Sequence, residues 1–142
     1  MRPTLALAAT ALLLASCQSG DGSPGSQPTG VFAEIGEEET IYLTGTEPFW
    51  GGEIASGSAL YSTPEVPDGT RFDVERFAGN NGLGFTGTLD GAGFDLTITP
   101  GSCSDAMSDR VYPYTATLLI AEEQREGCAW TDAQPFEGLE NP

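Results

Sequence analysis

The sequence predicts an all-β domain, a small antiparallel β-barrel or sandwich of about eight short strands with one disulfide. Three observations support this fold class. Apolar and polar residues alternate with a period of two, most clearly from Tyr112 to Ile120. Glycine-rich turn sequences recur at close spacing between such runs. No stretch shows the spacing of apolar residues that is typical of an amphipathic helix.

The predicted strands follow one another through short connections. Asp90-Gly91-Ala92-Gly93 predicts a hairpin loop, and Gly79-Asn80-Asn81-Gly82 predicts a second turn. Closure of such a sheet into a barrel would leave no exposed edge strand. The strands are expected near residues 41–44, 49–55, 58–62, 70–77, 83–89, 93–99, 111–120 and 126–130.

The first residues predict a lipoprotein signal peptide over 1–16. Arg2 precedes an apolar run that is too short to span a bilayer as a helix. The run ends in Leu14-Ala15-Ser16-Cys17, which resembles a lipobox; an ordinary secretory signal with a chance cysteine is the alternative. We expect Cys17 to carry the lipid anchor. Gln18 after it favours the periplasmic face of the outer membrane in a Gram-negative host.

Composition divides the rest of the chain into three parts. Residues 17–40 predict a lipidated flexible tether, because they are rich in Ser, Gly, Pro and acids. The β domain is expected over 41–131. Residues 132–142, which contain Pro and Glu, are expected to form a loosely ordered tail.

The three cysteines predict one disulfide. With Cys17 lipidated, Cys103 and Cys128 are left to pair with each other in an oxidising compartment. Such a crosslink is worth roughly 3 kcal/mol in the chain-entropy model. Neither a metal site nor a cofactor is expected, since neither cysteine has a histidine or a third thiol to complete a metal site.

The chain is strongly acidic, with 21 Asp and Glu, five Arg, no Lys, no His and a net charge of −16. A surface of this charge repels phosphates, so nucleic acid is not expected as a partner. Basic envelope proteins, cationic peptides and divalent cations are the compatible partners. The alternative is that the charge only keeps the protein soluble.

The same composition argues against an enzyme. Without His or Lys, a serine or cysteine nucleophile lacks its usual general base. Pairing of Cys103 with Cys128 also removes both thiolates. Carboxylate chemistry is the catalytic option that is left, and Glu47 is the acid that directly precedes an apolar pair. No catalytic residue is assigned.

The stretch Gly45-Thr46-Glu47-Pro48-Phe49-Trp50 is a candidate ligand-binding or structural motif. Pro48 restricts the backbone and holds Glu47 extended. Phe49 and Trp50 would point to opposite faces of the following strand, one to the core and one to a surface or groove. The alternative is a well-packed strand start without a ligand.

A second candidate stretch follows Cys103. Ser104 and Asp105 predict a cap on a short helical turn. Asp105 and Asp109 offer oxygens for a cation site, but their spacing lacks the pattern of a calcium loop and favours a structural loop.

The end of this stretch predicts the start of a strand. Tyr112 and Tyr114 are expected on one face of that strand, with Pro113 on the other. Arg110 precedes this strand, as Glu47 precedes Phe49, so we expect the two charges to form a structural fork between the two motifs.

Three segments resemble the signature of a family of small, largely uncharacterised bacterial envelope lipoproteins. They are Glu47-Pro48-Phe49-Trp50, the run CSDAMSDRVYPYTA that begins at Cys103, and Gly127-Cys128-Ala129. The family motifs are G-x-E-P-F-W, C-S-D-G-M-S-D-x-x-Y-P-Y-x-A and G-C-A. Ala106 stands where the family usually has glycine, so a left-handed turn there carries a cost. The resemblance brings no catalytic residues.

The expected function is a non-catalytic binding or structural module of the cell envelope. It would be attached through its lipid to the periplasmic face of the outer membrane. The alternative is an inhibitor-like module that presents acidic loops to a basic envelope enzyme such as lysozyme. A carboxylate-dependent hydrolase is the third hypothesis.

Overall fold

The computed structural model describes residues 30–138, which form a closed barrel of eight antiparallel strands. Each strand pairs with its neighbours in sequence, and the last strand closes on the first. The predicted fold class is confirmed in its barrel form. The strands are β1 Ile41–Thr46, β2 Phe49–Ala55, β3 Ser58–Thr63, β4 Val66–Ala78, β5 Leu83–Leu89, β6 Ala92–Ser104, β7 Val111–Ile120 and β8 Glu123–Thr131.

The first 29 residues lie outside the described part of the chain. The predicted signal peptide, Cys17 and most of the predicted tether therefore stay expectations. Within residues 30–138, no helix is long and apolar enough to cross a membrane.

Most connections between the described strands are tight hairpins of two residues. Asp90 and Gly91 have φ values of 50° and 83°, and Ala121 and Glu122 have φ values of 47° and 69°. Two successive positive φ angles are the signature of the type I′ turns that suit the twist of hairpins. The predicted hairpin after β5 is confirmed, and the predicted turn at residues 79–82 joins β4 to β5.

Side chains fill the barrel interior, as expected for a barrel of this strand number. Alternate residues point inward, and β1 and β7 alternate between buried and more exposed positions along most of their length. Trp50, Tyr61, Phe85, Phe94 and Tyr114 provide the aromatic part of the contiguous core.

Residues 30–40 close one end of the barrel. Phe32 and Ile35 are buried in the core. The N–H of Phe32 donates to the carbonyl of Gly79 at 2.8 Å, and the Arg76 guanidinium donates to the carbonyl of Ile35 at 2.7 Å. The expected start of the folded domain at residue 41 is therefore too late, because this segment contributes apolar side chains to the core.

The segment after β8 is also packed against the barrel. The ring of Phe136 lies 5.7 Å from that of Trp130, and Glu137 pairs with Val111 through two backbone hydrogen bonds of 2.9 Å. The expectation of a loosely ordered tail is wrong for residues 132–138, because an aromatic side chain holds them down.

The predicted disulfide between Cys103 and Cys128 is confirmed, with Cα atoms 5.6 Å apart. It joins β6 to β8, which are separated in the sheet by β7. The pairing of β6 with β7 shifts register between Pro100 and Cys103. This irregularity lets β6 continue past Pro100-Gly101 to Ser104, beyond its predicted end.

Candidate functional site

The end of the barrel opposite the closed one carries an open cavity, which we call the mouth. In an up-and-down barrel alternate turns share an end, so the β1–β2, β3–β4, β5–β6 and β7–β8 turns surround the mouth. Its volume is about 1040 Å³, at the upper end of the range typical of small-molecule sites. The mouth is lined by Thr46, Glu47, Pro48, Phe49, Tyr61, Thr63, Pro64, Glu65, Leu89, Asp90, Ala92, Ile120, Ala121, Glu123 and Arg125.

Arg125 provides the positive charge of the mouth, and its guanidinium is engaged on both sides. One nitrogen donates to the hydroxyl of Tyr61. Nε and Nη2 each lie 3.3 Å from an oxygen of the Glu123 carboxylate. The Arg125 side chain is only 18% exposed. Burial raises the pKa of Tyr61, and the adjacent Arg125 charge opposes that rise. The positive charge of Arg125 is thus paired with the Glu123 carboxylate.

The apolar part of the mouth centres on Phe49, which is 52% exposed. Leu89 and Ile120 add aliphatic surface to the lining. Below them the ring of Tyr61 packs against that of Trp50, with centroids 6.1 Å apart. The mouth is therefore a cup above a filled core and not a channel through the barrel.

Trp50 lies in a slot whose walls are two glycines. A Cβ atom on Gly45 would lie 2.0 Å from the indole Nε1, and a Cβ atom on Gly127 would lie 2.7 Å from Cζ2. The indole N–H donates to the carbonyl of Glu126 at 3.2 Å. The side chain is 4% exposed, so Trp50 serves the core and Phe49 serves the mouth, as strand alternation predicts.

Three further carboxylates lie on exposed residues of the turns around the mouth, Glu47, Glu65 and Asp90. We call them the rim acids. Glu47 occupies the β1–β2 turn and is joined to Pro48 by a cis peptide bond. Hydrogen bonds from the Glu65 backbone N–H and the Thr63 hydroxyl lower the pKa of Glu65.

The expected Glu47–Arg110 fork does not form. The ion pairs within residues 30–138 are Arg71–Glu53 at 3.0 Å and Arg125–Glu123. The guanidinium carbon of Arg110 instead lies 4.5 Å from the centroid of the Phe136 ring. The sequence prediction failed because the β1–β2 turn with Glu47 and the β6–β7 loop with Arg110 connect strands at opposite ends of the barrel.

The loop between β6 and β7 is organised by one carboxylate. Asp105 accepts hydrogen bonds from the N–H groups of Met107 and Ser108 at 3.0 and 2.8 Å, from the Ser108 hydroxyl at 2.8 Å and from the Tyr112 hydroxyl at 3.2 Å. Burial alone would raise the pKa of Asp105, but these hydrogen bonds outweigh it and lower the pKa to about 2.

This arrangement corrects the expectation of a helical turn after Cys103. No helical turn forms at residues 105–110, where Asp105 closes a non-helical turn instead. Ala106 adopts the left-handed conformation with φ of 58°, despite its side chain. Within the described residues, no group of three or more His, Cys, Asp or Glu side chains could hold a metal ion. The hydrogen bonds that Asp105 accepts give it a structural role in the loop. Asp109 lies exposed on the same loop.

Tyr112 and Tyr114 alternate with Pro113 along β7 as predicted, and both are buried, but they join different clusters. The ring of Tyr114 contacts Phe32 in the core, with centroids 6.4 Å apart. The ring of Tyr112 lies 5.2 Å from Trp130 and 5.4 Å from Phe136. The tyrosines of the second motif thus belong to two aromatic groups and do not line the mouth, although Cys103, Ser104 and Asp105 line a smaller pocket that also includes Thr46.

Sequence reasoning placed Glu47 and Phe49 among the candidates but missed their neighbours in the mouth. The missed neighbours lie within strands, Tyr61 in β3 and Glu123 and Arg125 in β8. Nothing in the local sequence of these strands indicates a site. The signal that could have found them is topological, because the turns at residues 47–48, 64–65, 90–91 and 121–122 share one end once the strand order is sequential.

The chain matches no protein-family model, no curated protein and no solved structure.

Proposed function

We propose that this chain is a lipid-anchored, non-catalytic binding module of the cell envelope, and that the mouth is its ligand site. The observation that carries the proposal is the exposure of Phe49 over an open cavity of about 1040 Å³. The remainder of the interior is packed, and the other end is closed by residues 30–40. An apolar concave surface with a few polar groups is the usual form of a ligand site.

Two ionisable groups of the mouth, Glu65 and Arg125, support binding more than acid catalysis. A carboxyl group that serves as a general acid needs a raised pKa. Glu65 has a lowered pKa because it accepts local hydrogen bonds. Arg125 is already engaged by Glu123 and Tyr61. These contacts suit a preformed recognition surface.

The lipid anchor and the envelope location are proposed from the sequence. Leu14-Ala15-Ser16-Cys17 resembles a lipobox, and the conspicuous motifs resemble those of envelope lipoproteins. The Trp50 slot gives a physical reason for two of these motifs to occur together, because Gly45 belongs to the first and Gly127 to the last.

Fractionation of cells that express the full chain tests the location. Cys17→Ser should prevent lipidation, so the protein should either leave the membrane fraction or keep its signal peptide. Ser19→Ala, a change two residues away, should behave like the parent. Retention of a normally cleaved Cys17→Ser protein in the membrane fraction would refute the anchor.

Fluorescence of Trp50, which packs beneath Tyr61, tests the ligand site. The chain has two tryptophans, so Trp130→Phe leaves Trp50 as the sole reporter. Titration with the neutral apolar probe N-phenyl-1-naphthylamine should give saturable binding that Phe49→Ala weakens by about tenfold, the effect of one lost aromatic contact. Phe77→Ala removes an aromatic ring of similar exposure, 57%, outside the mouth lining and should have no effect.

The rim acids favour a second candidate function, an inhibitor-like module for a basic envelope enzyme. Glu47 and Glu65 are exposed beside Phe49 and could contact a cationic surface. Capture of a lysozyme by the immobilised barrel, together with loss of its muramidase activity, would support this function. Capture without inhibition would support binding alone.

A further inference from the structure

We propose that the ligand of the mouth is a small organic cation, an amine whose ammonium group lies among the rim acids and whose apolar body rests on Phe49. This inference rests on the proposed function, because it names the ligand class of the same site. It combines two features of the mouth, its charge and its exposed aromatic surface.

The charge of the mouth is negative where a ligand would enter. Arg125 is paired with Glu123 through two nitrogens and also helps to lower the pKa of Glu65. The mouth is still negative, because its lining has four carboxylates and this one guanidinium. Glu47, Glu65 and Asp90 come from three different turns, so their carboxylates are distributed around the opening. The net charge of −16 of the whole chain adds to the same field and disfavours anionic ligands.

The apolar lining distinguishes an organic cation from a metal ion. A hard metal cation requires several oxygens clustered around one point, and no such group occurs within residues 30–138. Phe49, Leu89 and Ile120 instead offer apolar surface beside the acids. A protonated amine can bury its hydrocarbon there, and the Phe49 ring can also attract its ammonium group.

The size of the mouth is compatible with such a ligand. A volume of about 1040 Å³ exceeds that of an eight-carbon amine, and the packed floor formed by Tyr61 limits the depth of entry. We therefore expect the hydrocarbon to lie across the cup, with the ammonium group near the solvent.

Three probes of equal chain length test the charge preference. Octylamine, 1-octanol and octanoate are titrated into the Trp130→Phe protein at pH 7 and low salt, with Trp50 fluorescence and calorimetry as readouts. Octylamine should bind about fivefold more tightly than 1-octanol, the factor for one exposed charge contact, and at least about twentyfold more tightly than octanoate. Salt at 0.5 M should reduce both preferences, because it screens exposed charges.

Matched variants locate the effect. Glu47→Gln and Glu65→Gln should each lower the affinity for octylamine by about threefold to fivefold and leave that for 1-octanol unchanged. Glu75→Gln removes an exposed acid on β4 that does not line the mouth and should leave both affinities unchanged. Equal losses in all three variants would show a general effect of net charge and overturn the assignment to the rim.

The outcomes separate this inference from the proposed function. Equal affinity for octylamine, 1-octanol and octanoate would overturn the cation preference and leave the mouth as an apolar ligand site. Failure of all three probes and of N-phenyl-1-naphthylamine would overturn both proposals. Binding of a decalysine peptide without binding of octylamine would overturn the small-ligand assignment in favour of a macromolecular cation.

Discussion

The Trp50 slot makes Gly45→Ala a sharp test of how the barrel is built. Gly45 is in β1 and Trp50 is opposite it in β2. An alanine Cβ at position 45 would lie 2.0 Å from Nε1 and 2.5 Å from Cδ1 and Cε2 of the indole. Real Cβ atoms do not approach other heavy atoms so closely, so the indole must move away from this position.

The cost follows from what the indole loses when it moves. Overpacking a well-packed core costs about 1–3 kcal/mol. Loss of the hydrogen bond from Nε1 to the Glu126 carbonyl adds about 1 kcal/mol. We expect a total near 3 kcal/mol, which in a domain of roughly 100 residues lowers the melting temperature by about 12–24 °C.

Urea denaturation followed by circular dichroism measures this loss, with Gly93→Ala as the control. A Cβ atom on Gly93 meets nothing within 4 Å, so that variant should differ from the parent by no more than about 0.5 kcal/mol. The double variant with Trp50→Phe should lose less than the sum of the single variants, because a smaller ring relieves the clash. Gly45→Ala as stable as Gly93→Ala would refute the slot.

Three further predictions concern the disulfide, the β6–β7 loop and the β7–β8 turn. Replacing Cys103 and Cys128 by serine should lower the free energy of unfolding by about 3 kcal/mol in urea titrations; an unchanged midpoint would contradict the crosslink's role. The pKa of Asp105 is about 2 in the fold against an ordinary 3.8, so its contribution is present above about pH 4 and is lost as the pH falls through 2. Asp105→Asn should remove about 1 kcal/mol at pH 7, after a discount for solvent screening, and its deficit should shrink in acid. Glu122→Gly should raise stability by about 1 kcal/mol, since the second position of the Ala121–Glu122 turn has a φ of 69°; a lower melting temperature would contradict this.

The strands were predictable where burial alternates without interruption. Residues 111–120 form β7 as predicted, because every inward position is apolar and two threonines, Thr115 and Thr117, separate the inward residues in the middle of the run. The predicted bounds were too short for β4 and β6. Pro67-Asp68-Gly69 and Pro100-Gly101 interrupt the alternation, although backbone pairing continues beside them.

The segments that cover the barrel were not predictable from periodicity. Phe32 and Ile35 are isolated apolar residues in a polar segment, and Phe136 stands alone between Pro135 and Glu137. A period cannot be read from so few residues. Their packing depends on surfaces that exist only after the strands have closed, namely the closed end of the barrel for Phe32 and Ile35 and the rings of Tyr112 and Trp130 for Phe136.

The site was predictable only in part for a related reason. Phe49 and Glu47 stood out because of their local sequence, and both line the mouth. Arg125 and Tyr61 did not stand out, because their contact joins β8 to β3. In a sandwich, the same strands would pair in a different order. The mouth therefore follows from the sequential strand order and from the closure of the sheet into a barrel.

The two ends of the barrel have different relations to the proposed membrane anchor. Phe32 binds the β4–β5 turn through its hydrogen bond to Gly79, so the chain enters the barrel at the closed end. An anchor at Cys17 would therefore be attached to that end, and the mouth would be the part of the barrel farthest from the attachment point. A mouth that faced the lipid would receive its ligand from the bilayer. A mouth that opens away from the attachment point is accessible from the surrounding solution, as binding of a soluble amine by Phe49 and the rim acids requires.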